Sequence, residues 1–215
     1  MRLLLVGATG LVGRHVLALA LSEPRIGAVV APVRRDLPAH PKLLAPAIEF
    51  EQLPVGADWW QADAVVCALG TTMRVAGSKD AFRRVDYDYP LSIARLARQH
   101  GTPTFVLNSA TGADPSSRFF YNRVKGEVER DLAKLGFRSL SLVRPGLIGG
   151  TREEVRFGER AAAFVLGLLH PILPRRLRIN PADTIARAML EAAIAAPPGR
   201  HLITSGQFAR DPAQV

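Results

Sequence analysis

Seven residues near the start, Gly7-Ala8-Thr9-Gly10-Leu11-Val12-Gly13, carry glycines at the spacing G-x-x-G-x-x-G. They follow an apolar run and open a helical pattern. A turn of this kind lets the backbone approach a pyrophosphate, which then sits at the positive end of the helix. A plain turn closing a strand–helix unit looks similar, but the place in the first such unit favours a nucleotide. A second signal follows the next apolar run, in Ala31-Pro32-Val33-Arg34-Arg35. In NAD sites an acidic residue about 20 positions beyond the glycines holds the ribose hydroxyls. Here Arg34 stands 21 residues after Gly13, with Arg35 beside it. Guanidinium groups bind phosphate bidentately and suit the extra 2′-phosphate of NADP. Asp36 keeps NAD open, so NADP is the expected cofactor and NAD the less favoured one.

A third pattern is Tyr121-Asn122-Arg123-Val124-Lys125. Tyrosine and lysine at i and i+4 lie on one helix face, one turn apart. Ser109 stands twelve residues upstream, at the end of an apolar run. Strand ends are where open α/β sheets build their sites. The bland reading of Tyr121 is a surface residue of an amphipathic helix. Other polar residues carry less. The five histidines show no ligand spacing, so no metal is expected. Cys67 lies inside an apolar strand and reads as a buried, inert thiol. Trp59 and Trp60 read as packing or surface cover. Phe119 and Phe120 fit either an apolar pocket wall or ordinary core.

The elements that position these residues alternate. Strands are predicted at Arg2–Val6, Ala28–Val33, Ile48–Phe50, Asp63–Cys67, Thr104–Leu107 and Ser139–Val143, with a short last one at Leu202–Thr204. Helices are predicted at Leu11–Leu21, Lys79–His100 with a bend or interruption at Pro90, 117–135, Glu154–Leu169, and from Pro181 to Ala195. Strands separated by helices imply parallel pairing through right-handed crossovers. The expected fold is α/β, a doubly wound, mostly parallel sheet in a single domain of residues 1–215. Residues 151–215 form a small C-terminal, substrate-side elaboration of it.

Composition sets the outer limits. A chain of 215 residues suits one large domain. One cysteine excludes an internal disulfide and favours a reducing compartment, so a cytoplasmic location is expected. The opening MRLLLVGATG predicts no secretory signal. The longest apolar stretch, Ala161–Leu169, is about half of the roughly 20 residues a membrane crossing needs, so no integral membrane association is expected. The net charge of +9 comes from 24 arginines and four lysines against 19 acids, and leans to the C-terminal half. No run of five basic residues occurs, and no nucleic-acid partner is expected. Ala161–Leu173 with Arg175, Arg176 and Arg178 reads as core or a cleft cap, with an anionic surface as the rival.

The chain resembles the short-chain dehydrogenase/reductase superfamily in its atypical branch, among small NAD(P)-binding Rossmann proteins related to the Tat-interacting oxidoreductase-like protein. The likeness rests on Gly7–Gly13, Cys67-Ala68-Leu69-Gly70-Thr71-Thr72, Val85-Asp86-Tyr87-Asp88-Tyr89, Ser109 with Gly112-Ala113-Asp114, Tyr121-Asn122-Arg123-Val124-Lys125-Gly126-Glu127-Val128-Glu129, and Arg144-Pro145-Gly146. It spans about residues 1–160; the rest matches loosely. The resemblance implies that Tyr121 exchanges a proton with a substrate oxygen. An unperturbed tyrosine has a pKa near 10. An adjacent ammonium favours the phenolate, the part implied for Lys125, which would also hold the nicotinamide ribose. Ser109 would polarise a carbonyl. Leu69, Gly70 and Thr71 would pass the adenine ribose, Phe50 would touch the adenine, and Pro145 would run along the nicotinamide. Asp86 stands where many relatives have asparagine. The implied function is NADP-dependent hydride transfer to or from a carbonyl or alcohol of a small-molecule substrate. An NADP-binding regulator with little catalysis is the alternative, and a nucleotide-sugar epimerase a third, for which the chain is short.

Overall fold

The computed structural model describes residues 1–149 and 179–208. The strands β1 (Arg2–Val6), β2 (Ala28–Val30), β3 (Leu43–Leu44), β4 (Ala64–Cys67), β5 (Thr104–Asn108), β6 (Ser139–Arg144) and β9 (Gly199–Thr204) form one sheet in the order β3-β2-β1-β4-β5-β6-β9. Every pairing in it is parallel. The order reverses between β1 and β4, which makes the crevice at their carboxyl ends the switch point of a Rossmann fold. Two further strands, β7 (Leu147–Gly149) and β8 (Ile179–Pro181), pair separately.

Both faces of the sheet are covered, so its strands are apolar on both sides. Leu3 and Leu5 of β1 pack with Val12 and Val16 of helix α1 (Leu11–Ser22) and with Ile185 and Met189 of a late helix (Ala182–Ala195). Leu4 and Val6 face the opposite core, with Ile93 and Ala94 of α4 (Tyr89–Gln99) and Val128 and Leu132 of α5 (Phe120–Leu132). The late helix is named α6 below. It lies over the sheet against α1, and β9 extends the sheet beyond β6.

Four expectations are corrected. The third strand is Leu43–Leu44, not Ile48–Phe50; the Val33–Ala47 bridge ends that edge before Phe50. The second strand ends at Val30, although Val33 still bonds across to Pro46. The segment Lys79–His100 is helical and is interrupted beside Pro90, as expected. It is α3 (Lys79–Arg83), a π turn (Arg84–Asp88), then α4, with Pro90 in the first turn where its missing N–H costs nothing. Two short helices precede and follow this region: α2 (Met73–Ala76) ahead of α3, and a 3-10 turn (Ala133–Leu135) after α5, whose α-helix covers only Phe120–Leu132. Pro181 stands one position before α6. The predicted helix Glu154–Leu169 and the segments Ala161–Leu173 and Arg175–Arg178 lie outside the described residues.

Candidate functional site

The glycine turn closes tightly. Gly7 adopts φ +86°, and a Cβ there would come within 2.9 Å of the backbone at Ala68 and Leu69. A Cβ on Gly13 would meet the Gly7 carbonyl oxygen at 1.9 Å. Only glycine permits these two approaches, and they bring the start of α1 down onto the β1–β4 crevice. Gly10 caps α1 without a side-chain bond, and its first turn carries no acid. The positive end of the helix therefore faces the crevice unneutralised, in a cradle that fits a pyrophosphate.

The remaining residues join this turn in a line of contacts along the carboxyl edge. The Lys125 ammonium, from α5, lies 2.8 Å from the Asp86 carboxylate, and both are buried. Asp86 also accepts a hydrogen bond from the Thr71 N–H at 2.9 Å. A Cβ on Gly70 would sit 3.5 Å from Asp86 and 3.9 Å from Lys125. Lys125 donates to the Asn108 carbonyl at the end of β5. The loops after β5 and β6 are tied by Thr111 N–H donating to the Pro145 carbonyl at 2.8 Å. Burial opposes the charge on Lys125, but the Asp86 carboxylate, with Tyr121 next, outweighs it and holds the ammonium above the ordinary lysine range.

Tyr121 lies one turn before Lys125 and is 39% exposed, with its ring against Phe82. Ser109 is buried, and its hydroxyl donates to Glu129, two turns beyond Tyr121 on α5. Glu129 in turn accepts from Arg144 through Nε at 2.9 Å and through Nη2. Among the described residues no hydrogen bond joins Ser109 to Tyr121. Residue types and spacing assign no role to Asp86 or Glu129; their contacts do. The signal available for Glu129 was an acid eight residues, about two helical turns, after the tyrosine.

Arg34 and Arg35 are exposed just past the Val33 bridge. Phe50 stacks on Tyr89, so it stands at the same edge. Phe119 is exposed, while Phe120 packs edge-on to Phe82. Trp59 and Trp60 are core, and Cys67 is wholly buried, its thiol pushed up to about 11 chiefly by burial. No cluster of metal-ligating side chains occurs among the described residues.

The chain is 36% identical over 202 residues to Protein fmp52, mitochondrial, of Aspergillus clavatus, covering 89% of this chain and 86% of that protein. It is 39% identical over 191 residues to Protein HTATIP2 of Rattus norvegicus, covering 86% and 78%. The chain belongs to the atypical short-chain dehydrogenase/reductase family, with these proteins. No family model matches it. Among solved structures, MoeE5 in complex with UDP-glucose and NAD superposes with a TM-score of 0.71 at 16% identity, covering 94% of this chain and 75% of that one. WbmH from Bordetella bronchiseptica in complex with NAD+ gives 0.69 at 16%, covering 95% and 76%. These likenesses show the Rossmann fold. The cytoplasmic expectation is corrected: the fungal relatives are named as mitochondrial proteins. No helix among the described residues is long and apolar enough to cross a membrane.

Proposed function

We propose that the protein is an NADP-dependent oxidoreductase acting on a carbonyl or alcohol group of a small molecule. One observation carries the reading. Lys125 is held by Asp86 and Asn108 beside Gly70, in a continuous line with the glycine turn that fits a pyrophosphate. Gly7–Gly13 and the start of α1 hold the diphosphate, Leu69–Thr71 and Phe50 flank the adenosine, and Pro145 borders the nicotinamide. Arg34, with Arg35 beside it, takes the 2′-phosphate. When bound, the nicotinamide gives or takes the hydride. Tyr121 exchanges the proton at the substrate oxygen, and Lys125 supports the charge that develops there and binds the ribose. Ser109 orients that oxygen.

A second reading, dinucleotide binding without turnover, is favoured by the Ser109 hydroxyl, whose proton is directed to Glu129. Following NADPH absorbance at 340 nm across a panel of aldehydes and ketones separates the two. Saturable oxidation is expected for the wild type. Tyr121→Phe is expected to lose at least about a hundredfold in turnover while binding NADPH normally. Unchanged turnover in that variant removes Tyr121 from its role, and no turnover on any carbonyl favours the binding protein.

A further inference from the structure

A second cluster lies on the carboxyl edge, away from Tyr121. Past β2 and the isolated Val33 bridge the chain presents Arg34 to solvent; after β3 it delivers Phe50 and Glu51. The π turn delivers Arg84, and the first residue of α4 is Tyr89. The rings of Phe50 and Tyr89 stack with centroids 5.3 Å apart and planes 25° apart. The Tyr89 hydroxyl donates to the Glu51 carboxylate. That bond first, the Glu51 backbone next, and then Arg84 and Arg34 hold Glu51 below the ordinary carboxylate range, so both guanidinium groups lie within electrostatic reach of it. Both arginines are exposed, and among the described residues neither side chain forms an ion pair or hydrogen bond.

The π turn explains why Arg84 is left over. Its neighbours Arg83, Asp86 and Tyr87 all turn toward α5, onto Glu127, Lys125 and Asp131. The wider turn re-aims the residues around it, and the Tyr89 N–H donates to the Arg84 carbonyl, which puts Arg84 one π turn before Tyr89 and within electrostatic reach of Glu51. Two guanidinium groups against one carboxylate leave a surplus positive charge beside a flat aromatic surface. A phosphate next to a purine is the chemistry that matches both features.

We propose that Arg84 is a specificity-determining residue: with Arg34 it clamps the 2′-phosphate of NADP, while the Phe50–Tyr89 stack supports the adenine. Glu51 is the opposing charge, held by Tyr89 and weakening the clamp. This rests on the reading of the glycine turn as a dinucleotide site.

The test is titration of the purified protein with NADPH and with NADH, followed by nucleotide fluorescence, with 2′,5′-ADP as competitor. Arg84→Ala is expected to weaken NADPH about ten-fold or more, as for a lost charge-assisted contact, and NADH less than about two-fold. The same variant should lose its hold on 2′,5′-ADP. Glu51→Gln should tighten NADPH and leave NADH alone, a gain that loss of structure does not produce. Arg84 is exposed, so its replacement leaves the fold intact, which circular dichroism checks. Equal weakening of both nucleotides, no change in either, or equal wild-type affinities overturns the clamp. If neither nucleotide binds the wild type, the dinucleotide reading itself falls and the clamp falls with it.

Discussion

Lys125 shows what one buried charge demands of its neighbours. An ammonium on the floor of the crevice is stable only with a counter-charge, and Asp86 supplies it at 2.8 Å. Removing one partner leaves the other buried and unpaired, which costs about 3–5 kcal/mol. Asp86→Ala is therefore expected to lose stability of that order in urea unfolding. Asp86→Asn should lose less, because its amide oxygen still accepts from Thr71. Both variants remove the charge, so an Asp86→Asn variant as stable as the wild type argues against the charge as the cause. Ser109 shows the converse. Its place at the end of β5 was legible from the apolar run before it, but the direction of its hydroxyl was not. A rotamer is chosen by what packs beside it, and Glu129 comes from a helix twenty residues on.

At the scale of elements, α5 is the part that carries the site, and it is anchored at both ends. A Cβ on Gly126 would lie 2.2 Å from the backbone at Asp114 and Pro115, so glycine lets the loop after β5 press against the helix. Farther along, Asp131 accepts from Arg130, Lys134 and the Tyr87 hydroxyl, tying α5 to the π turn. Arg130 first, then Lys134, hold the Asp131 carboxyl well below its ordinary range. A depressed pKa contributes stability above the unfolded value, near 3.9, and loses it as pH falls through the folded value. Asp131→Asn is thus expected to lower the midpoint of thermal unfolding at pH 7 and to flatten its fall below about pH 4. Parallel curves for variant and wild type contradict this. The helical pattern of 79–100 was legible, because its apolar spacing is regular. The π turn was not, since a widened turn answers to the contacts with α5 rather than to local propensity.

For the whole molecule, the strand order decides where every loop goes. Parallel strands buried on both faces leave the carboxyl edge as the place where loops from β1, β2, β3, β4, β5 and β6 converge. The net charge of +9 then has a local meaning at Arg34 and Arg84, and a nucleic-acid partner is unnecessary to explain it. Ligand that binds only the folded state stabilises all of it by mass action. NADPH at a hundred times its Kd adds about 2.7 kcal/mol, which for a chain of this size raises the unfolding midpoint by roughly 5–10 °C. Differential scanning fluorimetry reads this directly, and an unmoved midpoint at saturating NADPH speaks against the dinucleotide site.

The alternation of strands and helices, the parallel sheet, and the residue types at the glycine turn and on α5 are all legible in the sequence. These follow from periodicity and from backbone sterics, which act over a few residues. Tertiary packing alone sets Asp86 beside Lys125, turns the Ser109 hydroxyl to donate to Glu129, and brings Arg84 and Arg34 within reach of Glu51. Those pairings link residues that local rules treat separately. They exist because the crossovers fold distant segments onto one edge, where buried charges must find partners. The net charge was visible as a sum, and the fold gave part of it an address.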